Sequence, residues 1–243
     1  DGQAYTYLES AYGTPMIGLS AKGIAMGGAV TAISDGSFSL VSNPAMLSGE
    51  ENRVADLTLR GVRYDETRFV PLFDTFDSFV KETAVAENPE TYTGINGGVV
   101  WRPENAPKGL AVAAGVFERY NLQYDFVDER RFANGTDAAR RDLVQATQYI
   151  TSERAIYSLS GGLSYQERVL SIGASLHYLF GDLTFANAIV PGPVAQGAAD
   201  GPSRTELVRE LSGIGATFGA AAKISDRVTV GASYDLPVNF DVD

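Results

Sequence analysis

The sequence predicts an all-β fold, an antiparallel transmembrane β-barrel with an N-terminal helical hatch. Three observations favour this fold class. Apolar residues alternate with Gly and Ser along several segments, the apolar faces end in aromatic residues, and short links alternate with long polar insertions. The alternative is a soluble β-sandwich, but its outward face would carry Lys, Glu and Thr, whereas the polar faces here are mostly Gly and Ser.

Seven segments show the alternation of a strand that has different surroundings on its two faces. In the clearest one, Leu170 and Ile172 lie on one face, and Ser171 and Gly173 lie on the other. Short links alternate with polar insertions at about 120–153 and 183–208, which is the order of hairpins. The predicted strands are 55–59, 93–101, 110–116, 157–165, 170–180, 214–224 and 228–236.

Residues 1–50 do not follow the strand pattern and are predicted to form the hatch. Their many small side chains would let the backbone pack tightly against a surrounding wall. Ser34 or Asp35 is expected to cap a short helix that ends before Asn43. Residues 51–243 are then the barrel strands, with helical extracellular insertions.

Two of the segments between the predicted strands are expected to contain helices. The first is an amphipathic helix over 69–80, because four phenylalanines recur at spacings of three and four residues: Phe69, Phe73, Phe76 and Phe79. These rings would either pack on the barrel rim or form an apolar groove that captures a lipid tail. The second helix is expected over 136–150.

The composition excludes several classes of function. The chain has 19 Lys and Arg against 30 Asp and Glu, a net charge of −11, so nucleic acid is not an expected partner. It has no Cys, and its single His is His177, so neither a metal site nor a cofactor is expected. His177 lies on a Ser/Gly face, where it is expected to be a hydrogen-bonded filler. Since a Gly-x-Ser-x-Gly motif is also lacking, an enzyme is not expected.

Charged residues also occur on the polar faces of the predicted strands. In a barrel these side chains would point into the lumen, where ion pairs are expected to hold the plug. They are Asp56, Arg60, Arg102, Lys223 and Asp235.

Motifs in the N-terminal segment and in two later strands resemble the FadL/TodX family of outer-membrane transporters for long-chain fatty acids and other hydrophobic compounds. The N-terminal motif is the more specific one. It runs from Met26-Gly27-Gly28-Ala29 through Thr31-Ala32 and Asp35 to Asn43-Pro44-Ala45-Met46-Leu47. The segments 170–176 and 228–238 look like later strands of that family.

This resemblance implies a hatch of short helices that plugs a fourteen-stranded barrel. A hydrophobic ligand would be caught by extracellular loops, pass to a pocket beside the hatch and leave sideways through the barrel wall. The Asn-Pro-Ala motif belongs to the hatch, although Asn43-Pro44 is also a common turn. The expected ligand-binding or gating residues are Gly27, Gly28, Phe38, Asn43, Pro44, Ala45 and Met46.

The expected function is passive uptake of long-chain fatty acids or other hydrophobic small molecules across a bacterial outer membrane. The expected partners are that ligand and outer-membrane lipids, with a possible protein partner at the loops. The alternative is a barrel that serves as a scaffold or docking partner for a secretion or surface complex. Seven strands are fewer than fourteen, so an incomplete barrel is expected, the amino-terminal portion of a longer protein or a chain cut within the barrel. The alternative is a genuinely smaller, eight-stranded relative.

Overall fold

The computed structural model describes residues 14–16, 19–50, 52–63, 65–74, 76, 78–131, 144–192 and 202–242. Within these ranges, thirteen antiparallel strands form one large sheet, and helices are few and short. The prediction of an all-β, antiparallel fold is therefore confirmed. No helix among these residues is both long and apolar enough to cross a membrane.

The N-terminal segment predicted as the hatch consists of short elements, and we keep the name hatch for its described residues, 14–16 and 19–50. The strand β1, Thr14–Pro15, pairs with the sheet, and it is followed by the helices α1, Ala21–Ala25, and α2, Ser39–Ser42, and by a 3₁₀ helix, Pro44–Gly49. The expected capping of a helix by Ser34 or Asp35 is wrong. Ser20 caps α1, where its Oγ accepts a hydrogen bond from the N–H of Gly23 at 2.8 Å, and α2 begins without a side-chain cap. As expected, α2 ends before Asn43.

Long hairpins make up the rest of the chain. Their strands are β2 Arg53–Arg63, β3 Glu66–Phe73, β4 Phe79–Asn88, β5 Thr91–Trp101, β6 Leu110–Asn121, β7 Tyr124–Arg131, β8 Val144–Glu153, β9 Ala155–Glu167, β10 Leu170–Pro191, β11 Ser203–Ser225, β12 Val228–Asp235 and β13 Phe240–Val242.

The sheet has a lower tier beside the hatch and an upper tier above it. In the lower tier the order is β2, β5, β6, β9, β10, β11 and β12. In the upper tier β3, β4, β7, β8 and β10 are neighbours, and β10 and β11 run through both tiers. Short connections join the lower ends of the strands, so the sheet is an up-and-down meander.

The seven predicted strands are the lower tier. They fall on β2, β5, β6, β9, β10, β11 and β12, with residue 236 just beyond the last strand. The prediction of long polar insertions at 120–153 and 183–208 is wrong for the described residues, which continue as β7, β8 and the upper parts of β10 and β11. The alternation of apolar and polar residues is weaker in these upper strands because both of their faces carry polar side chains.

The helix predicted over 69–80 is wrong. Phe69 and Phe73 lie on one face of β3, because residues four apart also share a face of a strand. Between β3 and β4, Oδ1 of Asp74 accepts hydrogen bonds from the N–H groups of Phe76 at 2.8 Å and Ser78 at 2.9 Å, so the chain reverses. Phe79 then faces Phe73 across the hairpin. The second predicted helix is wrong over 144–150, which belongs to β8, and residues 136–143 lie outside the described residues.

The two faces of the lower tier have opposite environments. The face turned away from the hatch, which we call the outer face, is apolar and exposed, with exposed fractions of 70% for Leu57, 74% for Leu59 and 73% for Ile214. The inner face carries buried Ser, Gly and Ala and packs on the hatch. A soluble sheet normally buries its large apolar residues, so this arrangement is inverted.

Of the three buried apolar clusters among the described residues, two lie beside and just above the hatch. The first joins the hatch to the lower tier through Leu19, Phe38, Leu40, Leu47, Val100, Ala111, Ala113 and Phe117. The second lies above it and consists of Leu122, Ile156, Leu179 and Leu183, with Tyr120, Phe185, Leu211, Val238 and Phe240 packed around them. We call the second group the upper apolar cluster.

Candidate functional site

The predicted Asn-Pro-Ala motif lies where the hatch contacts the inner face of the sheet. We call the sheet around the hatch the wall. Asn43 is fully buried, and its Nδ2 donates hydrogen bonds to the carbonyl oxygens of Thr31 at 2.7 Å and of Ala220 in β11 at 3.3 Å. Its Oδ1 accepts from the N–H of Ala45 at 3.1 Å, which starts the 3₁₀ helix. Asn43 therefore makes the local turn and also ties the hatch to the sheet.

Glycines on the wall make this close contact possible. Gly173 of β10 and Gly219 of β11 are directly paired, and both lie under the motif. A Cβ at Gly219 would overlap Oδ1 of Asn43, and one at Gly173 would overlap the backbone of Pro44. The Gly and Ser residues of the inner face are thus the surface on which the hatch docks.

Polar side chains of the wall also hold the hatch. Ser175 Oγ donates to the carbonyl oxygen of Leu40 at 2.7 Å, and a carboxylate oxygen of Asp56 accepts from the N–H of Ser37 at 2.6 Å. Arg102 donates to the carbonyl oxygen of Ser48. The sequence predicts ion pairs for this role, but Asp56 and Arg102 bind hatch backbone instead.

The other predicted charges have different surroundings. Lys223 pairs with Asp226 at 3.0 Å, and both side chains are largely exposed. Asp235 accepts a hydrogen bond from Thr217. Neither residue holds the hatch through an ion pair with a described residue.

The remaining predicted hatch residues differ in burial. Phe38 is buried and packs against Phe117 of β6, with ring centroids 5.4 Å apart. Met46 is half-buried beside Ala45. Gly27 and Gly28 have φ values of 62° and 83°, which glycine adopts without strain, and they form the turn after α1. Gly27 is exposed and has nothing within 4 Å of the position of a Cβ, so it takes no part in the contact with the wall.

His177 is buried on the inner face of β10, as the sequence predicts. Its Nδ1 lies 2.8 Å from Ser160 Oγ, and its Nε2 lies 3.1 Å from Ser175 Oγ and 2.9 Å from Thr217 Oγ1. Because Ser175 also binds the hatch, His177 connects three wall strands to that contact. Within the described ranges, no group of three or more His, Asp or Glu side chains is placed to hold a metal ion.

The wall is interrupted next to the hatch. The ladder between β5 and β6 runs from Trp101↔Val112 to Gly97↔Val116 and stops there. Pairing resumes only at Glu87↔Val127 and Ala86↔Asp128, between β4 and β7. Between these points, residues 88–96 and 117–126, all of them described, have no backbone ladder with each other; we call this stretch the side gap. The strand β1 of the hatch enters it, since Thr14 and Pro15 pair with Asn121 and Tyr120, and the N–H of Met16 donates to the carbonyl oxygen of Arg119 at 2.9 Å.

Side chains close the side gap together with β1. Asn96 Oδ1 accepts from the N–H of Glu118 at 2.6 Å, and the Tyr92 hydroxyl oxygen accepts from the N–H of Asp125 at 2.7 Å. Both side chains are buried, so they replace two bonds of the missing ladder.

A buried ion pair lies at the lower end of the side gap. Arg60 Nη2 and a Glu118 carboxylate oxygen are 2.6 Å apart, with side-chain exposures of 9% and 1%. Gly94, the residue paired with Arg60, leaves room for this carboxylate, which a Cβ there would overlap. The pair therefore spans from β6 across β5 to β2.

Sequence reasoning did not find the side gap or most of its residues. Arg60 was expected to be a charge on a polar face, but its partner Glu118 was not predicted. A signal exists: the alternation of β6 ends at Val116, and two consecutive charged residues follow Phe117. Consecutive charges do not fit a strand with one apolar face, and the ladder with β5 stops at that point.

The predicted capture residues cluster at the tip of the β3–β4 hairpin. Phe73 and Phe79 contact edge to face, with ring centroids 6.3 Å apart. Phe69 and Phe79 are each 60% exposed, and Phe76 in the turn is 86% exposed. The structure therefore groups these rings on a hairpin instead of a helix, above the hatch and apart from it.

Comparison of the chain with known protein families, curated proteins and solved structures found no match.

Proposed function

We propose that this chain forms the wall and plug of an outer-membrane transporter for the passive uptake of long-chain fatty acids or other hydrophobic small molecules. The observation that carries the proposal is the side gap. It lies beside a docked hatch, and side chains and the two-residue strand β1 close it instead of a ladder between β5 and β6. A solute that reaches the hatch from outside could leave through this gap into the apolar layer of a membrane.

The outer face supports the membrane part of the proposal. Tyr157 and Tyr165 bound nine residues of β9, and a tilted transmembrane β-strand needs about 9–11 residues to cross the apolar layer. A transmembrane barrel has an apolar band roughly 25 Å tall between two aromatic girdles. At the upper margin, Phe180 packs on Tyr178 and Tyr157 at centroid distances of 5.9 and 6.4 Å. The exposed apolar residues between these margins would face lipid.

The free energy of the backbone favours the side gap as the exit. Opening a continuous ladder inside a lipid layer leaves several N–H and C=O groups without partners, each at a cost of about 1–3 kcal/mol. In the side gap, rotation of Asn96 and Tyr92 would release the N–H groups of Glu118 and Asp125, and withdrawal of β1 would release its two-residue pairing with β6. An opening above the Arg60–Glu118 pair therefore breaks fewer backbone hydrogen bonds than one along the continuous β10–β11 ladder.

A reversible cross-link tests this proposal. The sequence contains no cysteine, so N96C/E118C introduces the only two thiols, at positions that are in contact across the side gap. R60M is added to this variant so that no buried arginine is left without its partner. Uptake of radiolabelled oleate is measured in bacteria that lack their own importer and express the full chain in the outer membrane. Cross-linking with a short bis-thiol reagent should lower uptake several-fold, and reduction should restore it.

V99C/A114C is the matched control, because Val99 and Ala114 face each other within the intact part of the β5–β6 ladder. Cross-linking there should leave uptake unchanged. Equal uptake before and after cross-linking of the gap pair would contradict the side exit. No uptake by the uncross-linked full chain above the empty host would contradict transport itself.

The exposed phenyl rings at the hairpin tip are the one observation that favours the scaffold alternative. A contiguous exposed apolar patch marks a contact site for another molecule, and a protein could use it as well as a lipid. Stoichiometric copurification of a protein that is lost in F76S, with uptake intact, would favour the scaffold role.

A further inference from the structure

The connection between β5 and β6 differs from the other hairpin connections at the lower end of the sheet. It has eight residues, 102–109, whereas β9 joins β10 through residues 168–169 and β11 joins β12 through residues 226–227. We call it the β5–β6 loop. It borders an open pocket of about 860 Å³ at this end of the sheet. Loops held on a rigid scaffold often carry binding residues.

Backbone hydrogen bonds hold the β5–β6 loop against the strands on both of its sides. The N–H of Arg102 donates to the carbonyl oxygen of Asn52 at 2.9 Å, and the N–H of Gln166 in β9 donates to the carbonyl oxygen of Gly109 at 3.1 Å. Gly109 has a φ of 99°, and a Cβ there would overlap the carbonyl oxygen of Gln166. Two prolines in the loop further restrict its backbone. The pocket is therefore pre-formed.

Positive charge predominates around this pocket, although the whole chain has a net charge of −11. Three cations, Arg53, Arg102 and Lys108, line the pocket with one carboxylate, Glu104. Arg102 is fixed in position because it donates to the carbonyl oxygen of Ser48, and its Nε is buried without a hydrogen-bond partner among the described residues. An unsatisfied buried donor indicates a missing acceptor. The surplus of cations favours an anionic one.

The pocket adjoins the lower margin of the outer face. Arg53 and Trp101 are directly paired on β2 and β5, so their side chains share that face. Leu110 of the pocket is paired with Tyr165 of β9 in the same way, and Trp101 is 44% exposed. In membrane proteins Trp and Tyr lie at the level of the lipid headgroups. A lipid with a phosphate would thus meet cations at the pocket and apolar side chains above it.

We propose that this pocket binds the phosphate of an anionic phospholipid whose acyl chains lie against the outer face above Trp101. The inference goes beyond uptake but rests on the membrane part of the proposed function. Arg53 and Lys108 attract the phosphate, as basic clusters at a membrane surface do, and Arg102 donates charge-assisted hydrogen bonds to it. Glu104 opposes binding. A free phosphate would meet the same cations but would leave the apolar side chains uncovered.

Fluorescence quenching of Trp101 tests this site, because Trp101 is the only tryptophan in the sequence. The full chain is reconstituted in phosphatidylcholine vesicles that contain phosphatidylglycerol or phosphatidylcholine with brominated acyl chains. Brominated phosphatidylglycerol should quench at a mole fraction at least about fivefold lower than brominated phosphatidylcholine. Inorganic phosphate should relieve this quenching no more than sodium chloride of equal ionic strength. Relief by phosphate beyond that of chloride would mean a site for free phosphate and would overturn the assignment to a lipid.

Charge variants separate the pocket from the general charge of this end of the sheet. R53Q/K108Q should remove the preference for phosphatidylglycerol, and both side chains are exposed, so the fold does not depend on them. K223Q/R227Q is the matched control, because it removes two positive charges at the β11–β12 connection, and it should keep the preference. E104Q should increase the preference several-fold, a gain that misfolding would not produce.

The outcomes distinguish failure of this assignment from failure of the proposed function. An equal loss of preference in the two double variants would overturn the pocket, and so would an unchanged preference in R53Q/K108Q; quenching by both lipids would leave the membrane part of the proposed function standing. If neither brominated lipid quenches Trp101 in the wild-type chain, the outer face does not contact lipid, and the membrane part is overturned together with the pocket.

Discussion

The wall formed by β10 and β11 and the wall formed by β5 and β6 differ in continuity. The first pairs without interruption from Leu170↔Ala222 to Ile189↔Ser203, through both tiers of the sheet. The second pairs only from Trp101↔Val112 to Gly97↔Val116. Both walls contact the hatch, so the presence of the hatch alone does not interrupt a ladder.

The inner-face side chains explain the difference. In the lower tier β10 and β11 present Gly173, Ser175, Thr217 and Gly219, which are small enough for the hatch to dock while the ladder stays intact. At the start of the side gap, β6 instead carries Phe117, two charged residues and a bulge. The continuous wall therefore docks the Asn-Pro-Ala motif under an intact ladder, whereas polar side chains and β1 close the interrupted wall.

The largest effect is expected from breaking the buried ion pair of the interrupted wall. E118A leaves Arg60 buried without its partner, which should lower the free energy of unfolding by about 3–5 kcal/mol. Urea titration of the chain in lipid vesicles measures the change. R60M/E118L should recover most of it, because a well-packed apolar pair replaces two charges.

The exposed pair Arg53–Glu104 is the control for this prediction. Its side chains are 82% and 85% exposed, so E104A should change stability by less than about 1 kcal/mol. An equal loss in E104A and E118A would show that the pair in the side gap has no special role.

The continuous wall is tested at its glycines. G219A places a methyl group against Asn43, and the resulting displacement of the hatch should cost about 1–3 kcal/mol. Limited proteolysis should then cut the hatch faster than in the wild type. G61A is the matched control, since nothing lies within 4 Å of a Cβ at Gly61; if both variants resist protease equally, the hatch does not depend on this contact.

The strands of the lower tier could be predicted from the sequence because period-two alternation records two unlike surroundings. Leu170, Ile172 and Leu176 on one face and Ser171, Gly173 and Ser175 on the other place β10 without ambiguity. The same pattern predicts that Gly and Ser face inward. The upper strands β7 and β8 carry charged or polar residues on both faces, so no alternation marks them.

The side gap could not be predicted in full because it depends on contacts between distant residues. Arg60 and Glu118 lie far apart in the sequence, and nothing local indicates that they pair. The phenylalanine spacing at 69–80 led to the wrong prediction of a helix, since a spacing of four residues fits a helix turn and one face of a strand equally well. Pro71 is a local signal against a helix, because Pro lacks the N–H that a helix interior needs, and Asp74 is a local signal of a tight turn.

A smaller effect is expected from the side-chain bonds that close the gap. N96A removes the acceptor of the Glu118 N–H and should cost about 1–3 kcal/mol, because that donor stays buried. Hydrogen exchange of the Glu118 amide, followed by NMR, should speed up strongly in N96A. The exposed Asn239 provides the control, and N239A should leave this amide unchanged; unchanged exchange in N96A would mean that the gap is closed in another way.

The aromatic hairpin tip should affect uptake with little effect on stability. F76S changes an 86% exposed ring, so the free energy of unfolding should move by less than about 0.5 kcal/mol. Oleate uptake at limiting concentration should fall several-fold if the tip captures the ligand before it reaches the side gap. I224S, an exposed apolar change at the opposite end of the sheet, should not reduce uptake; equal uptake by all three proteins would contradict capture at the tip.

The smallest effect concerns a second buried carboxyl, in the hatch instead of the gap. No arginine among the described residues pairs with Asp35. Burial raises its pKa above the ordinary value, although the hydrogen bond from Ser20 at 2.6 Å and the charge of Lys22 act in the opposite direction. A raised pKa means that the folded hatch binds the proton more tightly than the unfolded chain does, so its contribution to stability is present at low pH and is lost as pH rises through the raised pKa. D35N keeps an acceptor for Ser20 and cannot ionise, so it should be as stable as the wild type at pH 3 and equally or more stable at pH 7. Urea titrations at the two pH values measure this, and a wild type that gains stability over D35N as pH rises would show that the ionised Asp35 is needed to hold the hatch.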